Sequence, residues 1–195
     1  MLVSFCITTF NRSGKLRSCL ESFQKTNCFD GDVELILVDN GSTDDETRDF
    51  LSSFDATLYG FSSSKILRRD TNDYPFGQKL SRVAAREAAS GDFHIDCPDD
   101  HLFVVEHDWI TYGIEYIKRY DSSDFETKVG CLVHYAQPAY RFSKQNNAFV
   151  ASQLDDRCII SEHKGYADYN LMSAKTYDKI GEFLPNLGRS CERNY

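Results

Sequence analysis

Asp96-Cys97-Pro98-Asp99-Asp100-His101 places three carboxylates within five residues, directly after a short apolar run. Like charges this close disfavour one another's ionised forms, and a fold tolerates them chiefly where a hard divalent cation neutralises them. A cation held by only one or two carboxylates takes its remaining ligands from water and substrate phosphates, so the cluster points to a diphosphate ligand. A solvated acidic turn in which Asp99 caps the next segment explains the same residues.

A second cluster, Asp39 with Asn40, Ser42 and Asp44, follows another apolar run. A carboxylate there can accept a hydrogen bond from a base N–H or a ribose hydroxyl, or the hydroxyls and Asp44 merely cap a helix. Both hold together if Thr43 does the capping and leaves Asp39 free. In the third cluster, Thr8-Thr9-Phe10-Asn11-Arg12, an aromatic ring sits where the chain turns polar, either as core or as a face on which a base stacks. Lys79 and Arg82 are cations that can assist a departing diphosphate, although exposed helix cations are more often simply solvated.

The elements that position these clusters follow from periodicity. Residues 2–8 are nearly all apolar, and after Asn11-Arg12-Ser13-Gly14 the apolar positions become Leu16, Cys19, Leu20 and Phe23, a switch from strand to helix spacing. Residues 34–38 repeat the strand signal, and Thr43 and Glu46 then have capping-box spacing, predicting a helix that buries Phe50, Leu51 and Phe54. Residues 65–67 are a weaker third strand. Leu80, Val83, Ala84 and Ala88 mark a third helix introduced by Pro75 and Gly77, and 93–95 a fourth strand. Four strands alternating with three helices predict a parallel, doubly wound sheet. Ligands on such sheets sit at the carboxyl ends of the strands, and the three polar clusters follow strands one, two and four on that one edge.

Beyond Asp100 the alternation stops. Residues 102–105 read as a strand, Asp108 as the cap of a helix burying Ile110, Ile114 and Ile117, and 129–135 and 157–160 as further strands. Residues 136–152 read as an irregular hairpin or mobile loop, and 173–180 as a short helix stopped by Gly181.

Ile7-Thr8-Thr9-Phe10-Asn11-Arg12, Leu37-Val38-Asp39-Asn40-Gly41-Ser42-Thr43-Asp44, Ala88-Ala89-Ser90-Gly91-Asp92 and Asp99-Asp100 resemble, in order and spacing, four signatures of the family 2 glycosyltransferases. The resemblance implies an α/β GT-A fold: a Rossmann-like, doubly wound, mostly parallel sheet with a mixed C-terminal acceptor-side region. One domain is expected, with 1–101 as its nucleotide-sugar-binding half and 102–195 as its acceptor-side half. The implied activity is metal-dependent, inverting transfer of a sugar from a UDP or dTDP type donor to a glycan or other hydroxyl acceptor, with Mn²⁺ or Mg²⁺ as cofactor. By the same resemblance Phe10 stacks on the base and Asp39 binds it, with Arg69 nearby. Thr8, Thr9, Asn11, Arg12, Asn40 and Lys79 contribute to the donor site, Asp99 lies nearer the ribose, and Asp99 and Asp100 fill the Asp-x-Asp role with Asp100 as the metal ligand.

Several positions depart from that pattern. One extra residue separates Asp96 from Asp99, and Asn72-Asp73-Tyr74-Pro75-Phe76-Gly77 stretches the family's Asn-x-Gly segment. Near the end, Gly181-Glu182-Phe183 and Ser190-Cys191-Glu192-Arg193-Asn194-Tyr195 resemble the Gly-Phe-Asp and Glu-Asp region, but Arg193 stands where the Asp commonly assigned as base is found. As a base in this chain, Glu192 is the candidate by its position in this region, and Asp168, between Tyr166 and Tyr169, is the other candidate. Some relatives complete the metal shell with a distant His, a role open to His101, His134 or His163, although surface or packing roles are the commoner ones. Relatives usually continue past the point where this chain stops, so a shortened acceptor-side half is expected. A non-catalytic nucleotide-sugar-binding module, or the donor-binding half of a larger transferase, is the alternative. A nucleotidyltransferase would want a Gly-rich phosphate loop that Asn11-Arg12-Ser13-Gly14 does not supply.

Composition sets the outer limits. The 195 residues, 41% hydrophobic and 27% charged, suffice for one domain with a sizeable core and exclude disordered and collagen-like classes. A net charge of -8 disfavours nucleic acid and anionic membranes, so an anionic ligand needs a local cation. The apolar start lacks a basic leader and a small-residue cleavage site, which predicts a strand and not a signal peptide, and no run reaches the roughly 18 apolar residues of a spanning helix. Seven scattered cysteines without a Cys-x-x-Cys pair predict reduced thiols and a cytoplasmic location.

Overall fold

Strand β1 (Leu2–Thr9) is buried from Val3 to Ile7 without a break, and β2 (Asp32–Asp39) is buried along all but its first residue. Uninterrupted burial is what a parallel strand covered on both faces requires. The computed structural model describes residues 1–72, 77–104, 106, 108–121, 131–132, 151–153, 159–161 and 170–174. In it β1 lies between β2 and β4 (Phe93–Pro98), and β2 pairs outward with β3 (Ser63–Arg68), all in parallel. The sheet continues from β4 through two antiparallel strands, β8 (Asn170–Ser173) and then β5 (Cys131–Leu132). Strands β6 (Ala151–Gln153) and β7 (Ile159–Ser161) form a separate antiparallel pair. This is the expected α/β architecture, parallel in its first half and mixed after it.

The pleat divides the core. Val3, Phe5, Ile7, Leu35, Leu37 and Ile95 join the larger cluster with Leu16, Cys19, Leu20 and Phe23 of α1 (Ser13–Thr26) and Ile110, Ile114 and Ile117 of α4 (Trp109–Asp121). The four α1 residues have the i, i+3, i+4, i+7 spacing of one helical stripe. Asp108 caps α4 as expected, its Oδ1 accepting from the Thr111 N–H at 3.0 Å. Cys6, Ile36 and Val38 face the other way, onto Ala85 of α3 (Gly77–Ala88).

The third helix buries a different stripe from the one expected. Gly77, Ser81 and Ala85 turn inward while Leu80 stays exposed, because small side chains let the helix lie close on the sheet. The second helix, α2 (Asp45–Ser52), is capped by Asp44 and not by Thr43: the Asp44 carboxylate accepts from the Thr47 N–H at 2.8 Å. Within and beyond it Leu51 is buried, but Phe50 and Phe54 only partly so. Residues 102–104 are not a strand. The Phe103 N–H is tied to Ser22 Oγ of α1 at 3.1 Å, and its ring packs against Phe5, Phe23 and Trp109.

Of the expected strands at 129–135 and 157–160, β5 and β7 lie within or across the predicted ranges. Residues 151 and 152, expected as irregular, belong to strand β6. Pro75, residues 133–150 and residues 175–180 of the expected helix lie outside the described residues, while Ser173, expected to start that helix, is the last residue of β8 because it pairs with Phe93 of β4. No helix among the described residues is long and apolar enough to cross a membrane.

The segment Ala88-Ala89-Ser90-Gly91-Asp92 lies at the edge opposite the polar clusters. Ser4 Oγ and the Ser90 N–H both donate to buried Glu34, and the Gly91 N–H donates to Ser4 Oγ at 2.8 Å. A Cβ on Gly91 would lie 2.8 Å from Leu2 O, Ser4 N and Ser4 Oγ, so the glycine is there to let the turn close onto β1.

Candidate functional site

Register puts the three clusters side by side. Thr9 pairs with Asp39 across β1 and β2, Thr8 with Pro98 across β1 and β4, and the Asn40 N–H donates to Thr9 O at 2.8 Å. The polar segments after β1, β2 and β4 thus leave the sheet at one level of its carboxyl edge.

Asp39 is 4% exposed, and its Oδ1 accepts from the Ser42 N–H at 2.9 Å. The carboxylate closes its own turn with one oxygen; the other takes no hydrogen bond among the described residues. Gly41 makes this turn possible. Its φ is +78, and a Cβ would come within 2.6 Å of the Thr71 carbonyl carbon, so the segments after β2 and β3 touch at backbone level there. The Arg69 N–H donates to Asp39 O at 3.0 Å and its Nη1 to Gly77 O at 3.0 Å, which fixes the start of α3 beside Asp39.

Asn11 and Asn40 direct their polar atoms to protein partners. Asn11 adopts a left-handed φ of 53, and its Oδ1 accepts from the N–H groups of Thr43 at 2.7 Å and Asp44 at 3.2 Å. Its Nδ2 donates to Thr43 Oγ1 at 3.2 Å, so the hydroxyl expected to cap α2 is engaged by Asn11 instead. Asn40 Oδ1 accepts from Ser81 Oγ at 2.9 Å and its Nδ2 reaches Asn72 Oδ1 at 3.5 Å. Between them the two asparagines hold the segments after β1, β2 and β3 to one another and to α3.

The acidic turn is held by cations and by β1. Asp99 is buried; its Oδ2 accepts from Thr9 Oγ1 at 2.8 Å and its Oδ1 lies 3.3 Å from Arg12 Nη1. Burial raises its pKa above the ordinary value, an effect that Asp100 reinforces and that Thr9 and Arg12 oppose. Asp100 is 45% exposed, with Oδ2 3.5 Å from Arg12 Nη1 and 3.6 Å from Lys15 Nζ. Burial also lowers the pKa of His101, against the pull of Asp100, and its ring packs edge-on to Phe103 at 4.7 Å. Asp96 points away from this group, 3.6 Å from Arg82 Nε on the α3 face. Lys15 was not among the expected site residues, although its place three residues after Arg12, on the same face of the first turn of α1, is a readable signal.

Thr8 and Phe10 flank this arrangement. Phe10 is half-buried and belongs to neither hydrophobic cluster, so its ring is at the edge and not in the core. Lys79 lies in the first turn of α3. Glu192, Asp168, Arg193, His134 and His163 lie outside the described residues. Among the described residues no three His, Cys, Asp or Glu side chains converge as a metal cage. Asp99 and Asp100 offer hard carboxylate oxygens that already attract two cationic groups, and they fit a Mg²⁺ or Mn²⁺ ion that draws the rest of its shell from water and phosphate.

A family model described as Glycosyl transferase family 2 matches residues 4–166. The chain is 33% identical over 93 residues to the abequosyltransferase RfbV of Salmonella typhimurium (strain LT2), covering 48% of this chain and 26% of that protein. It is 41% identical over 71 residues to a PGL/p-HBAD biosynthesis glycosyltransferase of Mycobacterium bovis (strain BCG), covering 36% and 25%. The matched stretches thus span about a quarter of these curated relatives. Among solved structures, S. aureus TarS 1-349 in complex with UDP is similar with a TM-score of 0.59 at 17% identity, over 89% of this chain and 47% of that one. The mannosyltransferase PcManGT from Pyrobaculum calidifontis, in complex with GDP-Man and Mn²⁺, gives 0.56 at 15% identity, over 72% and 37%. At these identities the solved structures establish a shared fold.

Proposed function

Because the chain belongs to glycosyl transferase family 2, we propose that it carries the donor site of an inverting glycosyltransferase that takes a UDP or dTDP type sugar and serves a hydroxyl acceptor in glycan or polysaccharide assembly. The observation that carries this reading is the meeting of buried Asp39 with Asp99 and Asp100 at one strand edge, level in register. Asp39 has one oxygen left for a base N–H, and Phe10 lies at the same edge as a stacking face. Asp100, exposed, and Asp99, anchored by Thr9, would hold the divalent ion, which when bound neutralises charge on the departing diphosphate.

In the transfer itself the acceptor oxygen forms a bond to the anomeric carbon while the bond from that carbon to the diphosphate breaks, and the hydroxyl proton passes to a carboxylate. Glu192 and Asp168 are the proposed bases. Arg12, Lys79 and Arg69 supply positive charge around a site in a chain of net charge -8. The buried free thiols of Cys6, Cys19 and Cys97 suit a reducing, cytoplasmic setting.

Arg193, where the family commonly has Asp, favours a second reading, a nucleotide-sugar-binding module that does not itself transfer. Melting the protein with UDP, dTDP, GDP and their sugars, with and without Mn²⁺, and then assaying transfer, tests both. A ligand present at about a hundred times its Kd stabilises by about 2.7 kcal/mol, which is readily seen. UDP or dTDP with Mn²⁺ raises the melting temperature on either reading, and transfer with inverted product stereochemistry singles out the enzyme. No shift with any nucleotide contradicts both.

A further inference from the structure

The acidic pair at the sheet edge carries its own counterions. Arg12 Nη1 bridges Asp99 Oδ1 at 3.3 Å and Asp100 Oδ2 at 3.5 Å, and Lys15 Nζ lies 3.6 Å from Asp100 Oδ2. Two negative charges thus face two positive ones. The two partners are held differently: Asp99 is fixed by Thr9, whereas the side chains of Arg12 and Lys15 are 50% and 58% exposed and make no ion pair other than these among the described residues. A divalent cation approaching alone must displace these cations from the carboxylates and leave them without an anion. A bare diphosphate must pull them away and leave the carboxylates unneutralised. A cation bound to a diphosphate meets both needs at once, its metal on the carboxylates and its phosphates on the guanidinium and ammonium groups.

Resting on the donor-site reading above, we infer that Arg12 and Lys15 are exchangeable counterions of Asp99 and Asp100, and that they make binding of the divalent cation and the nucleoside diphosphate mutually dependent. Such coupling is reciprocal: the factor by which UDP tightens Mn²⁺ equals the factor by which Mn²⁺ tightens UDP. Arg12 and Lys15 act here as positioning residues that tie one ligand to the other. Neither is needed for the fold's core, since Arg12 makes no side-chain cap on α1 and both side chains face solvent.

The test is Mn²⁺ binding without turnover, read from the electron paramagnetic resonance signal of free Mn²⁺, with and without saturating UDP. It is run on wild type, on Arg12→Met, on Lys15→Met and on the double variant, with melting curves to establish folding. Wild type is expected to bind Mn²⁺ weakly alone and at least tenfold more tightly with UDP. The double variant should bind Mn²⁺ alone about tenfold more tightly than wild type, the size expected when three partly exposed ion pairs no longer compete. Its UDP-induced gain should shrink by a similar factor, and Arg12→Lys should keep most of the wild-type coupling. If wild type binds UDP with Mn²⁺ but the double variant binds Mn²⁺ alone no better than wild type, the counterion inference is overturned while the donor site stands. If wild type shows no Mn²⁺-supported UDP binding, the donor-site reading falls and this inference with it.

Discussion

Thr9 Oγ1 donates a 2.8 Å hydrogen bond to Asp99 Oδ2, joining the last residue of the central strand to the first of the acidic pair across ninety residues of sequence. Both side chains are buried, so the bond fixes the acidic turn to the sheet while Asp100 beside it remains exposed. One carboxylate is thereby anchored and its neighbour presented.

The buried charge has a consequence for stability. Burial lifts the Asp99 pKa above its ordinary 3.8, so the folded protein keeps that proton to higher pH than the unfolded chain. The stability contributed by protonated Asp99 is fully present below the unfolded value and is lost as pH rises through the folded one. Asp99→Asn should therefore gain on wild type in urea midpoint between pH 4 and pH 7. A variant that instead loses ground over that range would show that Thr9 and Arg12 outweigh the burial.

Asn11 should act on stability through both its backbone and its side chain. Asn11→Ala is expected to lose about 1 kcal/mol of clamp to the Thr43 and Asp44 N–H groups and about 1 kcal/mol more for a left-handed φ that alanine tolerates poorly. Asn11→Gly should lose only the clamp. Equal denaturant midpoints for the two variants would show that the conformation carries no strain.

At the opposite edge, Gly91→Ala should destabilise by about 1–3 kcal/mol, because the added methyl meets the β1 backbone at 2.8 Å. Donor affinity measured on the folded fraction should not change. A variant that folds normally yet binds nucleotide poorly would move this segment into the site.

These cases mark how far the sequence could be read. The strands nearest the site were legible because their apolar runs are unbroken, as parallel central strands require, and the polar segments that follow them locate the edge. Strand β3 is faint because Ser63, Ser64 and Lys65 are exposed on a sheet edge. Packing distance, which decided for Ser81 and Ala85 over Leu80, leaves no mark in hydrophobic spacing. The long-range partners of Asn11 and Asn40 are equally invisible, since an asparagine that binds a ligand and one that clamps two loops are the same letter. Of the candidate bases, Glu192 rests on the family resemblance and Asp168 on its place between Tyr166 and Tyr169.

Asp39 separates turn chemistry from ligand chemistry. Asp39→Asn can still accept from the Ser42 N–H and should keep the fold, yet lose the charge-assisted bond to the base, about 1.5–3 kcal/mol of nucleotide affinity. Asp39→Ala should lose stability as well. Unchanged affinity and base preference in Asp39→Asn would confine Asp39 to its turn.

The central claim, that this edge binds a nucleoside diphosphate through a divalent ion on the acidic pair, is tested most directly by calorimetric titration of UDP and dTDP in Mn²⁺ and in EDTA. Wild type should bind one of them in Mn²⁺ and barely in EDTA, and Asp100→Ala, changing an exposed side chain, should melt like wild type yet behave in Mn²⁺ as wild type does in EDTA. Equal affinity in Mn²⁺ and EDTA, or full affinity in Asp100→Ala, would contradict it.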